Sequence, residues 1–273
     1  MAGSMYPPRF YAGYIFDLDG TVYLGEALLP QAGETIAALR ARGCRTVFVS
    51  NNPTHTRQNY AEKLTRLGLP TPVADILNSS SVMVDFLQCR MPGARLFVIG
   101  EAPLLDDLAK AGFSFTENPA EVQAVIASFD RTFAYRKLQT AFDAIRQGAR
   151  FFATNPDKYC PVPIDAGRPT GGEPDCAAII AAIEACTGVE AEAVVGKPSP
   201  FMIEAALRLV GLPASECLMI GDRLETDVQM GLDAGMAGAL TLTGATPETA
   251  LAGSPIRPTY VLRNLGDLWP ARA

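Results

Sequence analysis

The chain has 273 residues, of which 48% are hydrophobic, so it can form one large or two modest domains with packed cores. The net charge is −6 and neither Lys nor Arg forms a run, which argues against a general binder of nucleic acid or acidic membranes. Six scattered cysteines without a Cys-x-x-Cys pair argue against structural zinc and a dense disulfide framework. No apolar stretch reaches the roughly 18–20 residues that span a bilayer, and no secretory signal is recognisable, so we expect a cytoplasmic protein.

Short β-rich runs alternate with amphipathic segments along the chain. The strand candidates are Gly13–Phe16, Arg45–Ser50, Arg95–Ile99, Ala124–Ala127, Arg150–Ala153, Ala193–Val195, Cys217–Ile220 and Ala239–Leu242. The helix candidates are Ala32–Arg42, Arg57–Leu67, Val82–Gln88, Pro103–Ala111, Tyr135–Gln147, Cys176–Cys186, Pro200–Val210 and Thr226–Ala234. This alternation predicts an α/β fold with a doubly wound, Rossmann-like parallel sheet that is covered by helices on both faces.

Two carboxylates follow the first predicted strand. Asp17 and Asp19 come directly after an apolar run, and Gly20-Thr21 end the strand. Residues two apart on a strand point to the same side, so both acids can approach one small site where the strand opens into a loop. Such a pair can hold a divalent metal and divide nucleophile and acid–base roles. Asp-Gly alone is also an ordinary turn, so this interpretation depends on three further segments.

Two of these segments can bind a phosphoryl group. Ser50-Asn51-Asn52 follows the second predicted strand and offers a hydroxyl, amides and backbone N–H groups. Lys197 lies between a predicted strand and the start of a helix, where its cation can neutralise phosphate oxygens and clustered carboxylates. Taken separately, the first segment is also a good turn and the second is also an ordinary solvated loop lysine.

The last segment carries two more acids. Asp222 emerges from the buried strand Cys217–Ile220, which makes it a candidate metal ligand. Asp227 lies five residues further on, near a predicted helix start, where it can cap the helix or support the metal ligands.

The spacing of these segments predicts the domain organisation. About 145 residues separate position 52 from position 197, far more than an ordinary loop contains. We therefore expect a discontinuous core at 1–83 and 189–273, with an inserted α/β domain at 84–188. Ligands of open α/β sheets bind beyond the carboxyl ends of the strands, so the inserted domain would lie over that site.

In this order the four segments resemble the motifs of the haloacid dehalogenase superfamily, whose members are aspartyl-phosphate phosphotransferases. The first motif is matched by Asp17-Leu18-Asp19-Gly20-Thr21-Val22, the second by Ser50-Asn51-Asn52, the third by Lys197 and the fourth by Gly221-Asp222 through Asp227. Four stretches are similar to the type IIA-capped group of nitrophenyl-phosphate, phosphoglycolate and pyridoxal-phosphate phosphatases: Ser50–Pro53, Phe129–Phe133, Ala153–Asp157 and Val195–Pro200.

The resemblance implies a role for each residue. Asp17 would be the nucleophile and Asp19 the general acid and base. Mg²⁺ would be held by Asp17, the backbone carbonyl of Asp19, and Asp222, with Asp227 in support. The transferring phosphoryl group would be bound by Ser50, Asn51, Asn52 and Lys197. Within the inserted domain, which is called a cap in this family, the substrate contacts would be Asn155, Asp157 and Tyr159.

By this resemblance the protein is a magnesium-dependent phosphatase that hydrolyses small phosphorylated metabolites through an aspartyl phosphate. The expected partner is a small metabolite rather than nucleic acid or a membrane, and the cap would offer a surface for homodimers. Two alternatives stay open, because a fold does not fix its reaction. One is a phosphotransferase or mutase on the same fold, and the other is a non-catalytic protein that binds phosphorylated metabolites.

Overall fold

The computed structural model describes residues 6–164 and 171–269. In chain order its strands are β1 Gly13–Phe16, β2 Tyr23–Leu24, β3 Ala27–Leu28, β4 Arg45–Ser50, β5 Ile76–Asn78, β6 Arg95–Ile99, β7 Ser114–Phe115, β8 Ala124–Ala127, β9 Arg150–Ala153, β10 Tyr159–Pro161, β11 Gly172–Pro174, β12 Ala193–Val194, β13 Cys217–Gly221, β14 Ala237–Thr241 and β15 Tyr260–Leu262. Its α-helices are α1 Ala32–Ala41, α2 Arg57–Arg66, α3 Ser79–Arg90, α4 Ala102–Lys110, α5 Tyr135–Arg146, α6 Cys176–Thr187, α7 Pro200–Val210 and α8 Gln229–Asp233.

Shorter helical turns connect these elements. Turns of 3₁₀ helix occupy Val73–Asp75, Pro119–Glu121, Ala214–Glu216, Glu248–Leu251 and Leu265–Leu268. A π-helical turn at Leu224–Val228 runs into α8, where the sequence predicted a helix at Thr226–Ala234. In this wider turn the Asp227 carboxylate accepts a hydrogen bond from the Arg223 N–H. Single π-turns are found often at functional sites.

The larger sheet has six parallel strands in the order β15-β14-β13-β1-β4-β5. Its central strand β1 is fully buried, and Ile15 lies opposite Met219 on one side and Val47 on the other. Continuous burial on both faces is what a parallel sheet between two helical layers requires. The expected doubly wound α/β architecture is confirmed.

A second sheet has five parallel strands in the order β12-β9-β8-β6-β7. Leu96 and Phe152 of this sheet belong to the same buried apolar cluster as Ile15 and Val47 of the larger sheet. Its edge strand β12 pairs with β9 and is followed within three residues by Lys197. The second sheet therefore also positions a candidate site residue, Lys197.

Two elements cross the expected limits of the inserted domain. Helix α3 continues through position 84, and β12 lies beyond position 188 yet pairs within the second sheet.

Helix α7 shows how the local sequence sets these elements. Ser199 caps its start by accepting the Met202 N–H at 3.2 Å, and Pro200 occupies the first turn. Gly211 ends the helix in the left-handed conformation with φ 69°. A serine cap, a proline in the first turn and a terminal glycine are common at helix ends, and the helix has the predicted bounds.

Among the described segments, we find no helix that combines the length and the apolar character needed to cross a membrane.

Candidate active site

The candidate site lies where three neighbouring strands of the larger sheet end. Asp17 and Asp19 follow β1, Ser50 ends β4, and Asp222 follows β13. Parallel strands present their carboxyl ends at one edge, so these side chains converge there. Lys197 comes from the second sheet, where it follows strand β12, and it meets the same group of side chains.

Lys197 joins two of the acids. Its Nζ lies 2.6 Å from Asp17 Oδ1 and 2.7 Å from Asp227 Oδ1, and it also donates to the Val49 carbonyl at 3.3 Å. Lys197 is 2% exposed. Burial lowers the pKa of Lys197, but attraction to Asp17 and Asp227 outweighs burial, so its pKa lies above the usual value and the amine stays protonated.

The carboxylates of Asp17, Asp222 and Asp227 form a buried cluster whose ligand atoms all lie within 4.8 Å of one another. Burial and repulsion from Asp17 and Asp227 raise the pKa of Asp222 well above its ordinary value. Within the described part of the chain, the buried Asp17 Oδ2 has no hydrogen-bond partner. Buried carboxyl oxygens in excess of nearby cations are the donors that Mg²⁺ prefers, so these residues fit a divalent cation.

Two glycines shape the backbone around Asp222. A Cβ on Gly244 would lie 2.0 Å from Asp222 Oδ2, and a Cβ on Gly20 would lie 2.6 Å from the same atom. The N–H of Ala245 donates to Asp222 Oδ2 at 2.6 Å. Absence of these side chains lets the backbone approach the carboxylate closely and hold it in place.

Asp19 lies outside the buried cluster of Asp17, Asp222 and Asp227 and is more exposed than its members. It is half-buried, and the Tyr23 hydroxyl donates to its Oδ2 at 3.4 Å. Burial, followed by repulsion from Asp17, raises the pKa of Asp19 to about 6. A carboxyl group with such a pKa exchanges a proton readily near neutral pH, as a general acid and base must.

The residues after β4 form a hydrogen-bonded turn. Ser50 Oγ accepts the Asn52 N–H at 3.1 Å and lies 3.3 Å from the Tyr60 hydroxyl, which donates to the Asn52 carbonyl at 2.9 Å. The Asn52 side chain accepts from the N–H and hydroxyl of Thr54 and donates to Cys160 Sγ at 3.5 Å. Tyr60 of helix α2, which no sequence motif indicated, fixes this turn.

Asn51 has a different environment from the one expected. Its Oδ1 accepts the Lys197 N–H at 2.7 Å, and its Nδ2 donates to the Lys197 carbonyl at 3.1 Å and to Asp157 Oδ2 at 2.8 Å. The Asn51 side chain is thus engaged within the protein, and only its backbone is left for a phosphoryl group.

The residues expected to contact the substrate from the cap separate into two groups. Asn155 is fully buried, with Thr154 donating to its Oδ1 at 2.7 Å and its Nδ2 donating to Asp157 and Asp175. Asn155 therefore stabilises the turn and does not line the pocket. Asp157 and Tyr159 do line the pocket that contains Asp17 and Lys197.

Arg223 also lines the pocket, although it was not among the residues predicted from the sequence. It donates to the Tyr159 carbonyl at 2.7 Å, and its guanidinium lies 4.6 Å from the centre of the Tyr159 ring. Beyond this pair a cleft of about 520 Å³ extends towards Thr246 and Pro247. The position of Arg223, directly after Asp222, was the available signal in the sequence.

Comparison with known proteins defines the class. Residues 14–114 match the haloacid dehalogenase-like hydrolase family, and residues 194–268 match the HAD-hydrolase-like family. The chain belongs to the haloacid dehalogenase-like hydrolases and is a phosphatase of small phosphorylated metabolites.

Individual relatives cover nearly the whole chain. It is 39% identical to the sugar-phosphatase AraL of Bacillus subtilis over 94% of this chain and 92% of that protein. It is 31% identical to a dihydroxyacetone phosphatase of Corynebacterium glutamicum, with 93% and 90% covered. The crystal structure of a 4-nitrophenylphosphatase from Thermotoga maritima superposes with a TM-score of 0.86 at 33% identity, covering 94% of this chain and 95% of that one. NagD from Escherichia coli K-12 gives 0.83 at 30% identity, covering 96% and 100%.

Proposed function

We propose that the protein hydrolyses phosphorylated sugars and related small polyol phosphates with Mg²⁺. The observation that carries this proposal is the buried Asp17 carboxylate, whose Oδ1 is held by Lys197 at 2.6 Å while its Oδ2 has no partner in the described part of the chain. The names of the relatives support the substrate class, because they include a sugar-phosphatase and a dihydroxyacetone phosphatase.

The nucleophile is Asp17. Its carboxylate oxygen attacks phosphorus, the bond from phosphorus to the leaving oxygen breaks, and Asp19 gives its proton to that oxygen. In the second half Asp19 takes a proton from water and the water oxygen attacks phosphorus. The bond between the Asp17 oxygen and phosphorus then breaks, so that inorganic phosphate leaves and the Asp17 carboxylate is restored. Lys197 offsets negative charge on the transferring group in both halves. The Ser50 hydroxyl and the backbone N–H group of Asn51 contribute further donors, and the Asn52 N–H holds Ser50 Oγ in place.

Mg²⁺ would be held by Asp17, Asp222 and the backbone carbonyl of Asp19. Asp227 supports this set through its ion pair with Lys197. When bound, the metal would screen the carboxylate nucleophile from an anionic substrate.

We further propose that residues 84–188 act as the cap and that Tyr159 and Arg223 contact the leaving group. Tyr159 is 38% exposed, and Arg223 lines the same pocket. Dimerisation through the cap and a cytoplasmic location stay predictions from the sequence.

The test has two parts. Release of inorganic phosphate is measured over phosphorylated sugars, polyols, nucleotides and pyridoxal phosphate, with Mg²⁺ and with chelator. We expect the highest kcat/KM for a sugar or polyol phosphate and no activity in chelator. Full activity in chelator contradicts the metal role, whereas transfer to an added alcohol without phosphate release identifies a phosphotransferase.

Metal binding is measured separately by titration calorimetry with Mg²⁺. Asp222→Ala should lose binding, whereas Asp233→Ala, an exposed acid on α8, should keep it. Equal affinity of the two variants would rule out Asp222 as a ligand.

A further inference from the structure

We propose that Asn51 is a positioning residue, which fixes the backbone of Lys197 and ties it through Asp157 to the turn at residues 155–160. Asp157 would then govern the rate for every substrate rather than the choice among substrates. The inference rests on the proposed function only in taking Lys197 as the cation that faces the phosphoryl group.

The Asn51 amide pairs with both backbone groups of Lys197. Its Oδ1 accepts the Lys197 N–H at 2.7 Å, and its Nδ2 donates to the Lys197 carbonyl at 3.1 Å. A flipped amide would place donor against donor and acceptor against acceptor, so these contacts specify one orientation. The Lys197 backbone is therefore held at two points by one side chain.

A chain of buried polar groups continues from Asn51. The second Nδ2 proton of Asn51 goes to Asp157 Oδ2 at 2.8 Å, and the same oxygen accepts Asn155 Nδ2 at 3.0 Å. Asn155 Nδ2 also donates to Asp175 Oδ1 at 3.1 Å, and Asp175 caps helix α6. All four side chains are at most 8% exposed. Buried networks that are fully paired make the surrounding backbone rigid.

The backbone next to Lys197 is closely packed and cannot shift independently of its neighbours. A Cβ on Gly196 would lie 2.6 Å from Asn51 Oδ1 and 2.6 Å from the Thr154 carbonyl. Val195 N–H donates to the Ala153 carbonyl at 3.0 Å, because β12 and β9 are neighbours in the second sheet. A displacement of the 155–160 turn is therefore transmitted to Lys197.

This pairing removes Asn51 from direct recognition of the substrate by its side chain. Both Nδ2 protons are donated within the protein, and its Oδ1 faces the Lys197 N–H. The effect of the Asn51 side chain on catalysis must then pass through the position of Lys197. A shift of about 1 Å at a catalytic group can lower the rate about a hundredfold.

The experiment compares Asn51→Ala, Asp157→Ala, their double variant, and Asp157→Asn. Asp157→Asn is the conservative variant, because its amide oxygen can accept from both Asn51 and Asn155. The matched control is Asp106→Ala, which removes an exposed carboxylate from cap helix α4. For each protein, kcat and KM are measured with 4-nitrophenyl phosphate and two sugar phosphates, and exchange of the Lys197 amide hydrogen is measured by NMR.

We expect Asp157→Ala and Asn51→Ala each to lower kcat about ten- to a hundredfold by the same factor for every substrate, with little change in KM. The double variant should lose little more than Asn51→Ala, since the two residues act as one unit. Lys197 amide exchange should quicken about tenfold or more in both alanine variants. Asp157→Asn should regain most of the rate that Asp157→Ala loses, and the Asp106→Ala control should retain wild-type rates within about threefold.

The inference is overturned if Asp157→Ala re-ranks the substrates, if the two losses multiply in the double variant, or if Lys197 amide exchange does not change. The exchange measurement needs no turnover, so it decides the positioning role even for a protein that hydrolyses none of the substrates. A wild-type protein without phosphatase activity would instead defeat the proposed function.

Discussion

Lys197 Nζ donates to one carboxylate oxygen of Asp17 at 2.6 Å, and the second oxygen of Asp17 is buried without a partner among the described residues. The two oxygens of Asp17, the proposed nucleophile, therefore have different surroundings. One is oriented by a fixed cation, and the other is left for a metal or for phosphorus.

Replacement of Lys197 by Ala should impair both activity and stability. The change leaves Asp17 and Asp227 buried without their shared cation, which typically destabilises a fold by about 3–5 kcal/mol. Activity should fall by at least about a hundredfold, because the phosphoryl group loses a fixed positive charge. Adding Asp227→Asn should recover part of the melting temperature and none of the activity. Recovery of both together would mean that Lys197 serves structure alone.

Gly244→Ala should displace Asp222 and weaken Mg²⁺ binding. The new Cβ would lie 2.0 Å from Asp222 Oδ2, so the carboxylate must move. The matched control is Gly253→Ala, where nothing lies within 4 Å of the added carbon. We expect about a tenfold or greater loss of Mg²⁺ affinity by calorimetry for the first variant, a size typical of perturbed metal surroundings, and none for the control. Equal affinities would show that Asp222 is not a ligand.

Tyr159→Ala should change which substrates are preferred. The ring lines the pocket and supports the Arg223 guanidinium, so its loss alters the surface that meets the leaving group. A few pocket contacts discriminate by about 1–3 kcal/mol, or tens to a few hundredfold in kcat/KM. Hydrolysis of 4-nitrophenyl phosphate should stay within about tenfold of wild type. Tyr135→Ala, which removes a ring that is 78% exposed on α5, is the control and should leave the ranking unchanged.

Asp175 should make stability depend on pH. Burial, followed by repulsion from Asp157, raises the pKa of Asp175 from 3.8 to about 7, although Asn155 and Arg223 partly oppose the shift. Between pH 3.8 and about 7, Asp175 is therefore protonated in the folded state and ionised in the unfolded state. The contribution of Asp175 to stability is therefore fully present below pH 3.8 and is lost as the pH rises through about 7.

Asp175→Asn keeps a hydrogen-bond acceptor for Asn155 and has no proton to lose. Between pH 4 and pH 8 the wild type should therefore lose stability that the variant keeps. The difference in free energy of unfolding, variant minus wild type, should increase over this range by more than about 1.4 kcal/mol, the equivalent of one pKa unit. The measurement is urea unfolding at both pH values. Parallel pH profiles for the two proteins would contradict the elevated pKa.

Much of the fold was predictable because its strands are short, apolar and separated by clear helix signals. Strands β1, β4, β6, β8 and β9 and helix α7 have the predicted bounds. The edge strands β5 and β15 were missed, since three residues at a sheet edge carry too little periodicity to be recognised.

Site residues that directly follow a strand were predictable. Hydrogen bonds between side chains and residues far away in the sequence were not. Convergence of Asp17, Ser50 and Asp222 follows from the parallel sheet. Asn51 and Asn155 were expected to meet the substrate, yet their amides pair with Lys197, Asp157 and Asp175. Sequence spacing gives no information on such pairs, because the partners lie up to 146 residues apart.

If Asp17 is the nucleophile, it becomes phosphorylated during turnover, and the Asp19→Asn variant allows the phosphorylated form to be observed. Nitrophenolate leaves without a proton, so the first half reaction proceeds in this variant, while the second half lacks its base. Rapid mixing of Asp19→Asn with 4-nitrophenyl phosphate should release one equivalent of nitrophenol per site in a burst. Acid quenching and borohydride reduction should then convert residue 17 to homoserine, as seen by peptide mass spectrometry. Asp17→Asn should give neither signal. A burst with the modification at another residue, or wild-type turnover by Asp17→Asn, would rule out Asp17 as the nucleophile.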